Sequence, residues 1–153
     1  MHIVPGIVQQ GHRAASGANG NPKFPGGTIR MQIPFFKALG LDLSGLYPGT
    51  INVSVAPHVF EPIRPTHAFK QLQWCDDATE DFSFFTCELM HAGETHRGWI
   101  YWPSPDTKPA AHGHEQNIHI VELLMPWIEG LAYGDAVSLV CSPEETAWRS
   151  MGL

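Results

Sequence analysis

The strongest constraint on the fold is a pair of apolar–polar alternations joined by a tight turn. Along residues 82–89, Phe85, Cys87 and Leu89 fall on one face of an extended chain, with Thr86 and Glu88 on the other, because successive strand side chains alternate. His91-Ala92-Gly93-Glu94 turns the chain and residues 97–102 return along it, which predicts a β-hairpin. Shorter runs of the same kind begin at Gly6-Ile7-Val8 and recur at residues 28–33, 50–55, 118–124 and 136–141, each readable as a strand. Residues 57–65 hold three prolines and read as an extended connection.

Two short helices are predicted between these runs. Residues 34–39 place Pro34 at a first helical position and Gly40 at the stop. Ser142-Pro143-Glu144-Glu145 combines a capping serine, an early proline and acids at the positive helix end, which makes residues 142–153 a helical tail. Gly and Pro (15 and 13) are spread along the chain, as many-turned β domains require. The 153 residues suit a single domain with its own core. The expected architecture is mostly β, about six strands in a small closed barrel with one or two short helices.

Charge narrows the function classes. The net charge is −6, which disfavours a general nucleic-acid binder. Residues 1–41 contain no acid and four bases, Arg13, Lys23, Arg30 and Lys37; all 15 acids follow, against five bases. A +4 segment ahead of a −10 remainder suits a small anionic ligand held by the N-terminal part. No run of 18 apolar residues exists, so no spanning helix is expected, and no signal peptide is visible at the start. Cys75, Cys87 and Cys141 form no CxxC pair and read as reduced thiols of a cytoplasmic protein.

Three constellations could carry chemistry. In Pro48-Gly49-Thr50-Ile51-Asn52, a strand geometry points Thr50 and Asn52 the same way. A hydroxyl and an amide carbonyl are hard oxygen donors suited to Mg²⁺, although a plain turn into a strand uses the same residues. The small-residue segment from Gly11 through Arg13, Ser16, Gly17, Ala18 and Gly20 could cradle phosphates with backbone N–H groups. It is neither a Walker A loop nor Gly-x-Gly-x-x-Gly. His112, His114, His119 and Glu122 have metal-like spacing, but His119 and Glu122 would face opposite sides of one strand. Gly-x-Ser-x-Gly is absent.

Taken in order, the segments Gly6-x-Val8-x-x-Gly11, Phe35-Phe36-Lys37-Ala38-Leu39-Gly40, Tyr47-Pro48-Gly49-Thr50-Ile51-Asn52, Val121-Glu122-Leu123-Leu124-Met125-Pro126 and Leu131-x-Tyr133-Gly134-Asp135-x-Val137 resemble the CTP-dependent riboflavin kinases. The resemblance runs over residues 6–141, with Pro-Gly-Thr-Ile-Asn its most specific piece. It implies a six-stranded cradle-loop barrel that transfers a phosphoryl group from CTP to riboflavin, giving FMN. It further implies Mg²⁺ at Thr50 and Asn52, and nucleotide contacts from Gly11, Arg13, Ser16, Gly17, Ala18 and Gly20. Flavin contacts would come from His114 and Glu122, with Glu122 also placed to accept the hydroxyl proton. The chain departs from the family after Pro126, where Trp127-Ile128-Glu129-Gly130 supplies an acid and no cation. A non-catalytic nucleotide- or flavin-binding domain and a His-based metalloprotein are the alternatives.

Overall fold

A computed structural model describes residues 1–10, 28–75, 79–105 and 117–150. Over these residues it forms nine strands and one helix. In chain order they are β1 (His2–Gln9), α1 (Thr28–Ala38), β2 (Ile51–Ser54), β3 (His58–Pro62), β4 (His67–Leu72), β5 (Glu80–His91), β6 (Glu94–Pro103), β7 (Ile120–Leu124), β8 (Ala136–Cys141) and β9 (Thr146–Ser150). Six strands close a hydrogen-bonded ring in the order β5-β6-β7-β2-β1-β8, and β8 pairs back onto β5.

The foreseen hairpin is the spine of this ring. β5 and β6 pair from Phe82↔Pro103 to His91↔Glu94. Ala92 and Gly93 both take positive φ, 51° and 80°, the backbone twist that a two-residue hairpin turn needs. The other edge of β5 is divided: β4 pairs its first half and β8 meets it at Glu88–Met90.

Alternation then sorts the side chains. Val4 and Val8, Val53, Phe85, Cys87 and Leu89, Ile100, Val121 and Leu123, and Val137, Leu139 and Cys141 pack together inside the ring. Cys87 and Cys141 are buried free thiols on neighbouring strands, their Sγ atoms 3.8 Å apart. The small β3–β9 sheet contributes Phe60, whose ring centroid lies 5.2, 5.1 and 5.2 Å from those of Phe85, Trp102 and Trp148.

The outer face of β4, β5, β6 and β7 carries a second core under α1, joining Ile29 and Phe36 to Phe82, Phe84, Tyr101 and Leu124. Phe36 is fully buried, 5.2 and 5.0 Å from Phe82 and Phe84 in edge-on contacts, a favoured aromatic geometry. Here the sequence expectation fails. Residues 28–33 are helix, continuous with 34–38, rather than a strand. The buried set is Ile29, Gln32 and Phe36, an i, i+3, i+7 stripe along one face of a helix, whereas an alternation would put Ile29 and Gln32 on opposite faces. Pro34 therefore sits inside the helix, and the packing of Phe36 offsets the hydrogen bond proline removes.

Gly40 does end the helix. It takes φ +104°, Gly40 N–H donates to Lys37 O at 3.1 Å, and Leu41 N–H donates to Phe36 O at 2.9 Å. Leu41 and Phe36 share the outer core, completing a Schellman cap.

The tail is a second correction. Ser142 accepts from Glu145 and Thr146 N–H at 3.1 Å each and, through Oγ, from Glu144 N–H at 3.3 Å. The capping signal thus closes a turn, and residues 146–150 become β9 on β3 instead of a helix. The supposed connection at 57–65 contains its partner, β3. β4 carries no clean alternation and was not foreseeable from one.

Glu145 ties this end to the ring. Its carboxylate accepts from Thr66 Oγ1 at 2.7 Å, from Thr86 N–H at 3.0 Å and from the Thr86 hydroxyl. Its carbonyl accepts from Ile63 and Arg64 N–H. Partial burial pushes the Glu145 pKa up, but the Thr86 and Thr66 hydrogen bonds and the Arg64 charge outweigh it and leave the carboxyl below its ordinary value of 4.5.

Two predictions follow from this packing. A Cβ on Gly98 would overlap the Leu124 carbonyl oxygen and lie 2.7 Å from Met125 Sδ. Gly98→Ala should therefore destabilise the fold by about 2 kcal/mol or more, read as a lowered denaturant midpoint. Because the folded Glu145 pKa is depressed, its contribution is present above the unfolded value and lost as pH falls through the folded one. The stability gap between wild type and Glu145→Gln should be constant at neutral pH and shrink below about pH 4.5.

Candidate functional site

Outside the ring, one row of residues runs across six strands at matched register. It reads His67, Phe84, Tyr101, Glu122, Asn52, Gln9 along β4, β5, β6, β7, β2 and β1. From Phe84 onward burial falls along it: Phe84 and Tyr101 are buried under α1, Glu122 and Asn52 are half-buried, and Gln9 is exposed. Beyond Tyr101 the row is polar, where the cover of the helix ends.

Glu122 is the centre of that polar part. Asn52 stands directly across from it on β2, and Thr50 Oγ1 donates to Glu122 Oε1 at 3.3 Å. The structure thus brings together Thr50, Asn52 and Glu122, residues separated by some 70 positions in the chain. Thr50 spends its proton on the carboxylate, which leaves the Oγ1 lone pairs available to a cation. Hydroxyl, amide carbonyl and carboxylate are all hard oxygen donors, a set chemically fitted to Mg²⁺.

Tyr101 borders the cluster from the buried side. Its hydroxyl donates to Gln32 Oε1 of α1 at 2.6 Å, with both residues buried. Burial, then the negative charges of Glu122 and Glu80, push the phenol well above its usual range, against the opposing Gln32 hydrogen bond. Tyr101 therefore stays protonated and serves as a fixed donor that locks the helix beside Glu122. The strand-like alternation of residues 28–33 gives no sign of this pair, because it takes the helix to bring Gln32 against Tyr101.

The Pro48-Gly49 turn is held by backbone contacts. Tyr47 N–H donates to Met125 O at 3.0 Å, and Gly49 N–H to Tyr47 O at 2.9 Å. The Tyr47–Met125 bond joins the segment before Thr50 to the segment after Glu122. Tyr47 and Trp127 then meet ring to ring, centroids 5.1 Å apart at 54°. Trp127 Nε1 donates to Glu129 Oε2 at 3.2 Å. So the stretch after Pro126, which lacks a cation, presents an aromatic ring instead.

The Gly134-Asp135 turn is bonded to β1. Gly134 N–H donates to Val8 O at 2.7 Å, and Val8 N–H donates to Asp135 O at 2.9 Å. Asp135 Oδ2 accepts from Ala132 N–H at 3.0 Å and lies 2.9 Å from His91 Nε2. These two partners, the Ala132 bond first, hold the Asp135 carboxyl below its ordinary value.

The proposed nucleotide residues Gly11, Arg13, Ser16, Gly17, Ala18 and Gly20, and the histidines His112 and His114, lie outside the described residues. β1 ends at Gln9, opposite Asn52. His119 precedes β7, and its Nδ1 lies 2.8 Å from His58 O, apart from the Glu122 row. Among the described residues, no group of three or more His, Cys, Asp or Glu is gathered as a metal site. None of the described helices is long and apolar enough to cross a membrane.

No protein-family model matches the chain, and no curated protein matches it either.

The Tyr101–Gln32 bond makes a direct prediction. Tyr101→Phe leaves buried Gln32 Oε1 without its donor and should cost about 1–3 kcal/mol, measured by denaturant unfolding.

Proposed function

We propose that this protein is a phosphotransferase of the CTP-dependent riboflavin kinase kind, with the six-strand ring as the frame of a small cradle-loop barrel. The observation that carries the reading is the meeting of Thr50 and Asn52 with Glu122, through the 3.3 Å Thr50–Glu122 bond and the Asn52↔Glu122 register. Two segments of the resemblance that are distant in sequence share one surface, and that supports the reading.

Phosphoryl transfer asks mainly for positioning and for neutralisation of charge. Thr50 and Asn52 are the residues that would hold Mg²⁺, which when bound supplies charge neutralisation at the phosphate oxygens. Gly11, Arg13, Ser16, Gly17, Ala18 and Gly20 would approach the nucleotide, and the basic character of residues 1–41 favours its anionic tail. Glu122, with His114 as a further flavin contact, would orient the ribityl 5′-hydroxyl. Its carboxylate accepts that hydroxyl proton as the oxygen bonds to the γ-phosphorus and the bond to the bridging oxygen breaks, releasing CDP.

A second reading is favoured by one observation. The stretch after Pro126 carries Trp127 bonded to Glu129, where a phosphate-binding enzyme gains from a cation. A domain that binds nucleotide or flavin without turnover fits that feature.

The test is incubation with CTP, Mg²⁺ and riboflavin. Wild type should form FMN, and Glu122→Gln should lower kcat by about 10²-fold or more, the scale of general-base loss. Thr50→Ala should abolish turnover. Calorimetric binding of CTP or riboflavin without product from any nucleoside triphosphate selects the second reading; absence of binding rejects both.

A further inference from the structure

The aromatic pair beside the polar cluster has no part in the phosphotransfer chemistry, yet its exposure is built in. Tyr47 is 44% and Trp127 67% exposed, although both are large rings that could bury area. Fraying does not account for this. Trp127 is flanked by buried Met125 and, one position on, by buried Ile128, both in the ring core. Its backbone is thereby fixed and its ring directed outward. The Glu129 carboxylate holds the indole N–H at 3.2 Å, which restrains the plane of the ring. Tyr47 is pinned through its N–H to Met125 O and leans on Trp127 at 5.1 Å. Two stiff π surfaces are thus offered to solvent with their orientation set.

Their position matters as much as their stiffness. Thr50 is three residues beyond Tyr47, so the two backbones lie within about 11 Å of each other at full extension. A ligand with a flat ring at one end and a polyol or phosphate arm at the other could reach both. Aromatic faces recognise such rings without regard to their hydrogen-bond edges.

We propose that Tyr47 and Trp127 form a stacking platform for the planar heteroaromatic ring of the ligand whose polar arm engages Thr50, Asn52 and Glu122. The ring is a nucleobase or an isoalloxazine, which share this chemistry. The platform rests on the ligand-binding reading above, in either its catalytic or its non-catalytic form. It also gives the missing cation a reason: the chain takes affinity from the ring end of the ligand.

Calorimetry on the full chain with four probes tests it: CTP, inorganic triphosphate, riboflavin and ribitol. Trp127→Ala should weaken CTP or riboflavin by roughly 5- to 150-fold, the range of base–aromatic stacking. The ligand that loses affinity identifies the ring. Triphosphate and ribitol, which have no ring, should bind the variant as they bind wild type. Trp127→Phe should recover most of the loss, and Tyr47→Ala should act in the same direction. Trp127→Leu, which keeps an apolar side chain without a ring, should behave as the alanine variant does, and an unfolding midpoint equal to wild type guards against a folding artefact. Unchanged CTP and riboflavin binding in Trp127→Ala, with binding lost in Thr50→Ala, overturns the platform and leaves the site standing. Equal loss for CTP and triphosphate also overturns it. Failure of wild type to bind CTP or riboflavin overturns both the platform and the reading beneath it.

Discussion

The divided edge of β5 is the constraint on which the rest of the structure depends. One edge pairs with β6 throughout, and the other is shared between β4 and β8. The β8 contact closes six strands into a ring, which leaves these strands few unpaired backbone groups to expose. Closure also fixes parity. A one-residue slip in β5 would send Phe85, Cys87 and Leu89 outward and Thr86 and Glu88 into the core. The apolar interior and the polar outer row are therefore consequences of one register.

The outer face is covered only in part, and the margin of that cover defines the candidate site. α1 buries Phe84 and Tyr101 but stops short of Glu122 and Asn52. The Tyr101–Gln32 bond marks the boundary, apolar packing on one side and oxygen donors on the other. A half-buried carboxylate beside such a boundary is held in place by the strands and still reached by solvent. That combination suits a group that must orient a ligand and exchange a proton.

Much of this was legible from residue patterns. The β5–β6 hairpin, the Gly40 stop and the strand at residues 136–141 appear where their local signals put them, because each signal is a short-range backbone requirement. The failures have tertiary causes. Residues 28–33 alternate like a strand, but Phe36 and Gln32 find partners in Phe84 and Tyr101 only if the segment is helical. Ser142-Pro143-Glu144-Glu145 encodes a capped turn, and whether a helix follows is decided by β3 waiting to pair with β9. The outcome at the site is similar. Thr50, Asn52 and Glu122 were nameable from motifs, whereas their meeting, and the Tyr47–Trp127 contact beside it, depend on the β2–β7 register.

The central claim is that Thr50, Asn52 and Glu122 form the ligand end of this protein. A crystal structure with CTP, Mg²⁺ and riboflavin tests it most directly. The account predicts phosphate and metal density against Thr50 and Asn52, with the ribityl hydroxyl within hydrogen-bonding distance of Glu122. Ordered ligand elsewhere on the molecule, with this cluster bare, would contradict it.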